Sequence, residues 1–207
     1  MSAAPAYVIL ASASPRRSAL LHQIGVPHRV VAPGLEERRA PGESVAACVR
    51  RLACAKAQQV WERTARAAPM PDALPVLGAD TAVVLDDEML GKPQDRAAAL
   101  AMLARLSGRS HRVLSAVALR SAGGLAVRLS ASEVQMRALG ARECDAYWES
   151  GEPRDKAGSY AIQGYAAVFI AALRGSYSGV MGLPLFETAA LLAEAGVPCW
   201  QVGPSGA

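Results

Sequence analysis

The sequence predicts an α/β protein in which a mixed sheet is flanked by helices. Short apolar segments alternate with amphipathic ones, and neither an internal repeat nor a low-complexity linker divides the chain. Of the 207 residues, 52% are hydrophobic, which is enough to bury one sizeable core. We therefore expect a single domain over residues 1–207, with two lobes.

In the first half of the chain, strands and helices alternate. An apolar strand over residues 7–11 precedes Ser14 and Pro15, an N-cap and a first-position proline that begin a helix ending at Gly25. Turn residues and apolar spacing then predict a strand over residues 28–32, a helix beginning near Ser44, and a buried strand over residues 75–79 that leads directly to Asp80.

The second half predicts a long hairpin between helices. Asp95 caps a helix that runs to Leu106, and strands over residues 113–119 and 125–136 are joined by a turn at 121–124. The remaining predicted elements are apolar segments at 83–85 and 89–90 around the acidic turn 86–88, a helix over 143–148, loop and strand over 157–164, and a last helix from Pro184 that ends at Gly196.

Composition narrows the class of protein. No apolar run approaches the roughly 18 residues of a membrane span, and the apolar segment at 7–11 has no basic region before it, so we expect a cytoplasmic protein without a signal peptide or membrane partner. The four cysteines form no C-x-x-C pair and have no histidine nearby, which argues against zinc and against a disulfide framework.

Charge favours a small anionic substrate. The formal net charge is +4, from 22 Lys and Arg against 18 Asp and Glu, and the basic residues are scattered rather than gathered in one block. Aromatic residues make up only 5% of the chain, so stacking platforms for single strands are not evident. Nucleic acid is therefore not an expected partner, although the pI near 9.1 leaves that alternative open.

The first candidate site lies at the junction between the first strand and helix. Ser12 with Arg16 and Arg17 brings a hydroxyl and two guanidinium groups next to the free amide groups of a helix start. Such a junction suits a polyphosphate, because arginine can hold two phosphate oxygens at once. An ordinary serine cap with solvated arginines is the alternative.

Asp80 and two lysines form the second group of candidates. Asp80 follows a strongly apolar strand, where a carboxylate can hold a metal or activate water, or can simply end the strand. Lys56 falls on the apolar face of the second helix if that helix continues, and must then reach an anion or extend to water. Lys92, in a loop, could close over phosphates or be solvated.

Glu36 and Gln163 complete the candidates. Glu36 lies in a charged loop and could supply a second carboxylate to a hard divalent ion, although most such loops are merely solvated. Gln163 can donate and accept in one plane, the geometry that reads a nucleobase edge, and Gly164 beside it would let a flat ligand approach. A surface glutamine in a glycine-bearing loop is the alternative.

The motifs taken together resemble the Maf family in order and spacing, over about residues 7–196. Each is common alone, and none is the phosphate-binding G-x-x-x-x-G-K-[ST] pattern. The matching segments are I-L-A-S-A-S-P-R-R at 9–17, L-G-A-D-T at 77–81, G-K-P at 91–93, L-S-G at 106–108, D-K-A-G at 155–158, Y-A-I-Q-G at 160–164, G-S-Y at 175–177 and V-M-G-L-P-L at 180–185. The loop at 64–71 and the tail after Gly196 are particular to this chain.

The resemblance implies a fold and an activity. It implies an elongated, twisted mixed sheet with two lobes around a deep substrate cleft, a homodimer, and hydrolysis of a nucleoside triphosphate to the monophosphate and pyrophosphate with a divalent cation, Mg2+, Mn2+ or Co2+. By the same resemblance Asp80 is the proton acceptor and a metal ligand with Glu36, and Ser12, Arg17, Lys56 and Lys92 surround the phosphates.

The resemblance also implies a substrate class. Arg16, Thr81 and Gln163 match the positions that separate substrates in the family, and here they resemble the branch that acts on dTTP and UTP. A purine-directed enzyme, such as one acting on 7-methyl-GTP, and a nucleotide-sensing protein linked to cell division remain the alternatives.

Overall fold

The structure, a computed structural model, describes residues 7–65 and 73–201. One mixed sheet has the strand order β2-β1-β3-β5-β6-β7, and β4 pairs with the far end of β3. The strands are β1 Val8–Ala11, β2 His28–Val30, β3 Val76–Leu85, β4 Glu88–Leu90, β5 Ser110–Ser121, β6 Gly124–Met136 and β7 Ile170–Arg174. The helices are α1 Pro15–Gln23, α2 Val45–Ala65, α3 Arg96–Leu106, α4 Ala141–Glu149, α5 Tyr177–Met181 and α6 Leu185–Glu194.

A notch opens along one edge of β3. Strand β1 runs parallel to β3 but pairs with it only as far as Gly78, because β1 ends at Ala11. On the same edge, β4 begins to pair with β3 at Val83. Between these two points β3 is held by β5 on its other edge, so its residues there face a gap that no described strand fills.

Two helical layers cover the first part of the sheet. On one face, α2 packs its apolar residues against β1, β3 and β5, as Val49 and Ala53 illustrate. On the opposite face, Leu21 of α1 and Leu192 of α6 pack against the other side of the same strands. These layers form the first lobe.

The second lobe surrounds the far ends of β3, β5 and β6. Leu103 of α3, Tyr147 of α4 and Phe169 pack there against Val83 and Leu85 of β3. Short 3-10 turns at Glu152–Asp155, Ala157–Ser159 and Tyr165–Phe169 complete this lobe. The predicted α/β fold, a mixed sheet flanked by helices with two lobes, is confirmed.

Two local predictions are wrong. The strand expected to stop at residue 79 continues to Leu85, so Asp80 lies inside β3 rather than after its end, because β5 continues to supply backbone partners. Residues 157–164 form no strand, since Gly158 and Ser159 have φ values of +69° and +60°, which an extended chain cannot adopt. Of the chain-specific loop and tail, residues 66–71 and 202–207 lie outside the described residues.

Within residues 7–65 and 73–201, no helix combines the length and apolarity needed to cross a membrane.

Candidate functional site

A cavity of about 350 Å³ lies at the notch, between the two lobes. It receives side chains from both lobes because β3 runs through both and is unpaired there on one edge. The structure brings eight of the nine predicted site residues to this cleft: Ser12, Arg16, Arg17, Lys56, Asp80, Thr81, Lys92 and Gln163.

The junction of β1 and α1 forms one wall. The Ser12 hydroxyl oxygen accepts the backbone N–H of Ser14 at 3.1 Å and Nη1 of Arg17 at 3.2 Å. Ser14 is the N-cap, as predicted, yet its own side chain makes no capping bond. The start of α1 therefore presents amide groups that no described side chain caps, and such a helix end favours an anion.

Arg17 is held by three acceptors. Its Nε donates to the carbonyl of Gly182 at 2.7 Å, Nη1 to Ser12, and Nη2 to Oγ1 of Thr81 at 3.4 Å. Burial lowers the pKa of Arg17, an effect that the nearby charge of Asp80 opposes. The guanidinium is thus a fixed positive charge facing the cleft, since arginine stays protonated in proteins.

Lys56 reaches Asp80 because α2 lies unusually close to β3. At Gly78, an added Cβ would lie 2.7 Å from the backbone nitrogen of Ala57, and closer still to the carbonyl of Ala53. Only glycine permits this approach. One step along the same face of β3, Asp80 Oδ1 accepts Nζ of Lys56 at 2.7 Å, and Lys56 is only 3% exposed. The expected burial of Lys56 is confirmed.

Asp80 is a buried carboxylate beside two cations. Burial raises its pKa above the ordinary range, while the neighbouring Lys56 and then Arg17 oppose the shift. A carboxylate with a raised pKa is a stronger base than an ordinary one, and the adjacent ammonium of Lys56 holds this carboxylate in one position. Asp80 has the environment that a proton acceptor needs.

Glu37, not Glu36, is the carboxylate that joins Asp80 at Lys56. Glu37 Oε1 lies 2.7 Å from Nζ of Lys56, whereas Glu36 pairs with Arg38 outside the cleft and its side chain is 71% exposed. Only Glu37 is turned toward Lys56, since Glu36 is paired with Arg38 instead. The sequence contained both, but it offered no signal for choosing between them.

The second lobe contributes more cations at the cleft entrance. Lys92 is exposed there, and its loop is tied to the facing loop because the N–H of Gly158 donates to the carbonyl of Gly91 at 3.0 Å. Arg16 Nη1 approaches Asp155 from across the cleft at 4.0 Å, and Asp155 also pairs with Lys156. Lys156 lines the cleft as well, although motif matching assigned it no role.

Gln163 lies exposed at the edge of the cleft, on a turn anchored from behind. A carboxylate oxygen of Glu152 accepts the N–H of Tyr165 at 3.0 Å, and the other accepts the Tyr147 hydroxyl at 2.7 Å. An added Cβ at Gly164 would collide with that carboxylate. The room beside Gly164, expected for a ligand, is therefore occupied by Glu152, and the glycine serves the turn.

Tyr160, in the wall of the cleft, is hydrogen-bonded to a buried histidine that lies behind it. The hydroxyl of Tyr160 lies 2.7 Å from Nε2 of His111, and the two rings meet edge to face. Burial lowers the pKa of His111 to about 4, so this imidazole is neutral near pH 7. The pair holds the Tyr160 ring in the cleft wall.

The donor set fits a divalent cation that also binds phosphate oxygens. Among the described residues, no group of three or more His, Cys, Asp or Glu side chains is arranged to hold a metal. Asp80 and Glu37 nevertheless converge on one cationic nitrogen, each at 2.7 Å. Mg2+ typically takes one or two carboxylates and completes its shell with water and substrate phosphates, and Asp80 and Glu37 supply that number of oxygen ligands on one side of the cleft.

Comparison with known proteins places the chain in one family. Residues 7–195 match the family of Maf-like proteins. Curated relatives named dTTP/UTP pyrophosphatase include one from Bordetella pertussis, 51% identical over 95% of this chain and 96% of its own length. Others come from Alkalilimnicola ehrlichii, 53% identical over 91% and 92%, and from Methylococcus capsulatus, 50% identical over 95% of each chain.

Proposed function

Since the chain belongs to the Maf family, we propose that it is a nucleoside triphosphate pyrophosphatase that hydrolyses dTTP, UTP and related modified pyrimidine nucleotides to the monophosphate and pyrophosphate. The observation that carries the proposal is the pairing, within one cleft, of a buried carboxylate base with several cations. Asp80 supplies the base, and Arg17, Lys56 and Lys92 supply positive charge around it.

The cations match the charge of the substrate. A triphosphate carries about four negative charges, and attack of water at the α-phosphorus requires that its oxygens be neutralised and held in line. Arg17 and the start of α1 bind phosphate oxygens from the first lobe, while Lys92 and Lys156 bind them from the second. The departing pyrophosphate remains in contact with these cations, and they stabilise the negative charge that develops on it as the bond breaks.

Asp80 orients the attacking water and accepts its proton. Its raised pKa makes it a stronger base than an ordinary aspartate, and Lys56 holds the carboxylate in one position. Asp80 and Glu37 would hold the divalent metal, with Glu37 in the role that the sequence analysis gives to Glu36. When bound, Mg2+, Mn2+ or Co2+ supplies positive charge to the phosphate oxygens and lowers the pKa of water.

Gln163 selects the base. Uracil and thymine present the O4 acceptor beside the N3–H donor, and one carboxamide can serve both through its NH2 group and its oxygen. Arg16 and Thr81 also line the cleft and contribute to this choice. We further expect the enzyme to act in the cytoplasm, as its composition indicates, and as a homodimer, as the family resemblance implies.

The test is a comparison of kcat/KM for dTTP, UTP, CTP, GTP and 7-methyl-GTP, with separate detection of pyrophosphate and phosphate. We expect pyrophosphate from dTTP and UTP, and slow turnover of the purines. Gln163→Glu removes the donor to O4 and should raise the barrier for dTTP by about 1 to 3 kcal/mol. A preference for purines, or unchanged rates and ranking in Gln163→Glu, would contradict the assignment of base choice.

Release of single phosphate, or no turnover of any triphosphate, would contradict the proposed reaction itself. These two failures are separable, because the first concerns which base is chosen and the second which bond is cleaved.

A further inference from the structure

Ser115 lies directly behind the cleft, where neither the sequence motifs nor the proposed reaction uses it. It pairs with Thr81 across β5 and β3, and only 1% of it is exposed. Its hydroxyl donates to the carbonyl of Gly179 at 2.5 Å and lies 2.9 Å from Oγ1 of Thr81. Ser115 therefore connects a cleft residue to the segment that carries α5 and Gly182.

The carbonyl of Gly179, at the end of this series of hydrogen bonds, determines which hydroxyl is the donor in each one. A carbonyl can only accept, so the single proton of Ser115 goes to Gly179. In the 2.9 Å hydrogen bond between the two hydroxyls, Thr81 is therefore the donor and the Ser115 oxygen the acceptor. The other acceptor within reach of Thr81, the carbonyl of Gly182, is farther away at 3.4 Å.

Thr81 consequently faces Arg17 as an acceptor. With its only proton turned to Ser115, its oxygen has lone pairs left, and Nη2 of Arg17 lies 3.4 Å from it. Arginine has five N–H bonds, of which Gly182, Ser12 and Thr81 each take one. One N–H on each terminal nitrogen is left for a ligand.

We propose that Ser115 is a positioning residue for Arg17. By taking the proton of Thr81, it keeps the Thr81 oxygen an acceptor, which holds Nη2 and aims the two remaining terminal N–H groups of Arg17 at the triphosphate. Without Ser115, the nearest described acceptor for the Thr81 proton is the carbonyl of Gly182 at 3.4 Å, which already accepts Nε of Arg17, so the lone pairs of Thr81 are no longer fixed toward Nη2. This inference rests on the proposed function, because it assigns the ligand of Arg17 to the phosphates.

The first experiment measures binding rather than turnover, by calorimetry with the non-hydrolysable α,β-imido-dUTP. Ser115→Ala should weaken its binding about 3- to 10-fold, the effect of one hydrogen bond. Binding of inorganic triphosphate, which has no base, should weaken by the same factor, because the lost interaction is with the phosphates. If the alanine variant does not fold, Ser115→Cys takes its place, because a thiol is a weak acceptor.

Ser132→Ala is the matched control. Ser132 is also a buried serine that holds the same segment, since its oxygen accepts the N–H of Ser176 at 3.0 Å, but it contacts neither Thr81 nor Arg17. The Ser132→Ala variant should bind α,β-imido-dUTP with the affinity of the unmodified protein. An equal loss in Ser132→Ala would mean that loosening of the segment is the cause, and would overturn the proposal.

A double-mutant cycle completes the test. Thr81→Val removes the acceptor, so adding Ser115→Ala to it should cost no further affinity. Additive losses, or full affinity in Ser115→Ala alone, would refute the role of Ser115 while leaving the proposed function intact. If the unmodified protein binds thymidine but not α,β-imido-dUTP, the proposed function fails, and the role of Ser115 fails with it.

Discussion

Replacing Gly78 with alanine tests whether the closeness of α2 and β3 creates the catalytic pair. The added Cβ would lie 2.7 Å from Ala57 N and closer still to the carbonyl of Ala53, whereas real Cβ atoms essentially never come within 3.0 Å of such atoms. Both obstructing groups are backbone and cannot turn away. The helix must move outward by roughly 0.5 to 1 Å, since close-packed interiors offer no other space.

That displacement acts on stability and activity together. Overpacking of this kind costs about 1 to 3 kcal/mol of the free energy of unfolding. Lys56, which lies on the displaced turn of α2, would be drawn away from both Asp80 and Glu37, and its 2.7 Å contacts would lengthen to about 3.2 to 3.7 Å, at or beyond the usual limit of a hydrogen bond. Misplacement by about 1 Å can cost on the order of a hundredfold in rate, so we expect kcat to fall by roughly ten- to a hundredfold.

The assay pairs urea unfolding with steady-state hydrolysis of dTTP, measured well below the melting temperature. Gly34→Ala is the control, because Gly34 also contacts α2, through Gln59, but has open space where the new methyl group would lie. It should change neither quantity appreciably. A Gly78→Ala protein with the stability and kcat of the unmodified enzyme would refute the reasoning.

Three further predictions concern individual side chains. Asp80→Asn should keep the fold and lose turnover about a hundredfold or more, and near-normal activity in the folded variant would remove Asp80 as the base. Lys56→Ala should lower both activity and melting temperature, because it leaves the carboxylates of Glu37 and Asp80 facing each other without a cation. Lys92→Ala should lower activity alone, because Lys92 is exposed. Equal melting temperatures of the two variants would argue against a structural role for Lys56. His111 has a folded-state pKa of about 4 against about 6.5 when unfolded, so the unfolded chain binds the proton first and stability falls as pH drops through that window. Between pH 7 and pH 5, His111→Gln should therefore lose about 2 kcal/mol less of its free energy of unfolding than the unmodified protein does. Identical pH profiles of urea unfolding for the two proteins would contradict this.

Much of the site was predictable because its residues are marked by their local neighbours. Ser12 and Arg17 stand at a strand-to-helix junction that any chain with this pattern would form, and the apolar spacing around Lys56 already placed it on the inner face of α2. Resemblance to a known family added Thr81, and it gave Arg16 and Gln163, whose individual signals are weak, a role in substrate choice.

The errors share one physical origin, which is that they depend on which distant segments lie side by side. Asp80 was expected after a strand because the apolar run ends at residue 79, yet β5 extends the strand through it. Glu36 and Glu37 have the same chemistry and adjacent positions, so only the placement of Lys56 distinguishes them. Gly164 was assigned to a ligand, because nothing nearby in sequence indicates that Glu152 fills the space beside it.

The sequence by itself determined the fold class, the family and the chemical types gathered at the cleft, since periodicity, turn residues and ordered motifs are local properties of the chain. Only the tertiary structure decided which face of β3 each residue occupies, which glutamate meets Lys56, and that Ser115 sets the proton of Thr81. Hydrogen bonds are formed over about 3 Å between residues far apart in sequence, so their partners and directions exist only once the strands are in register.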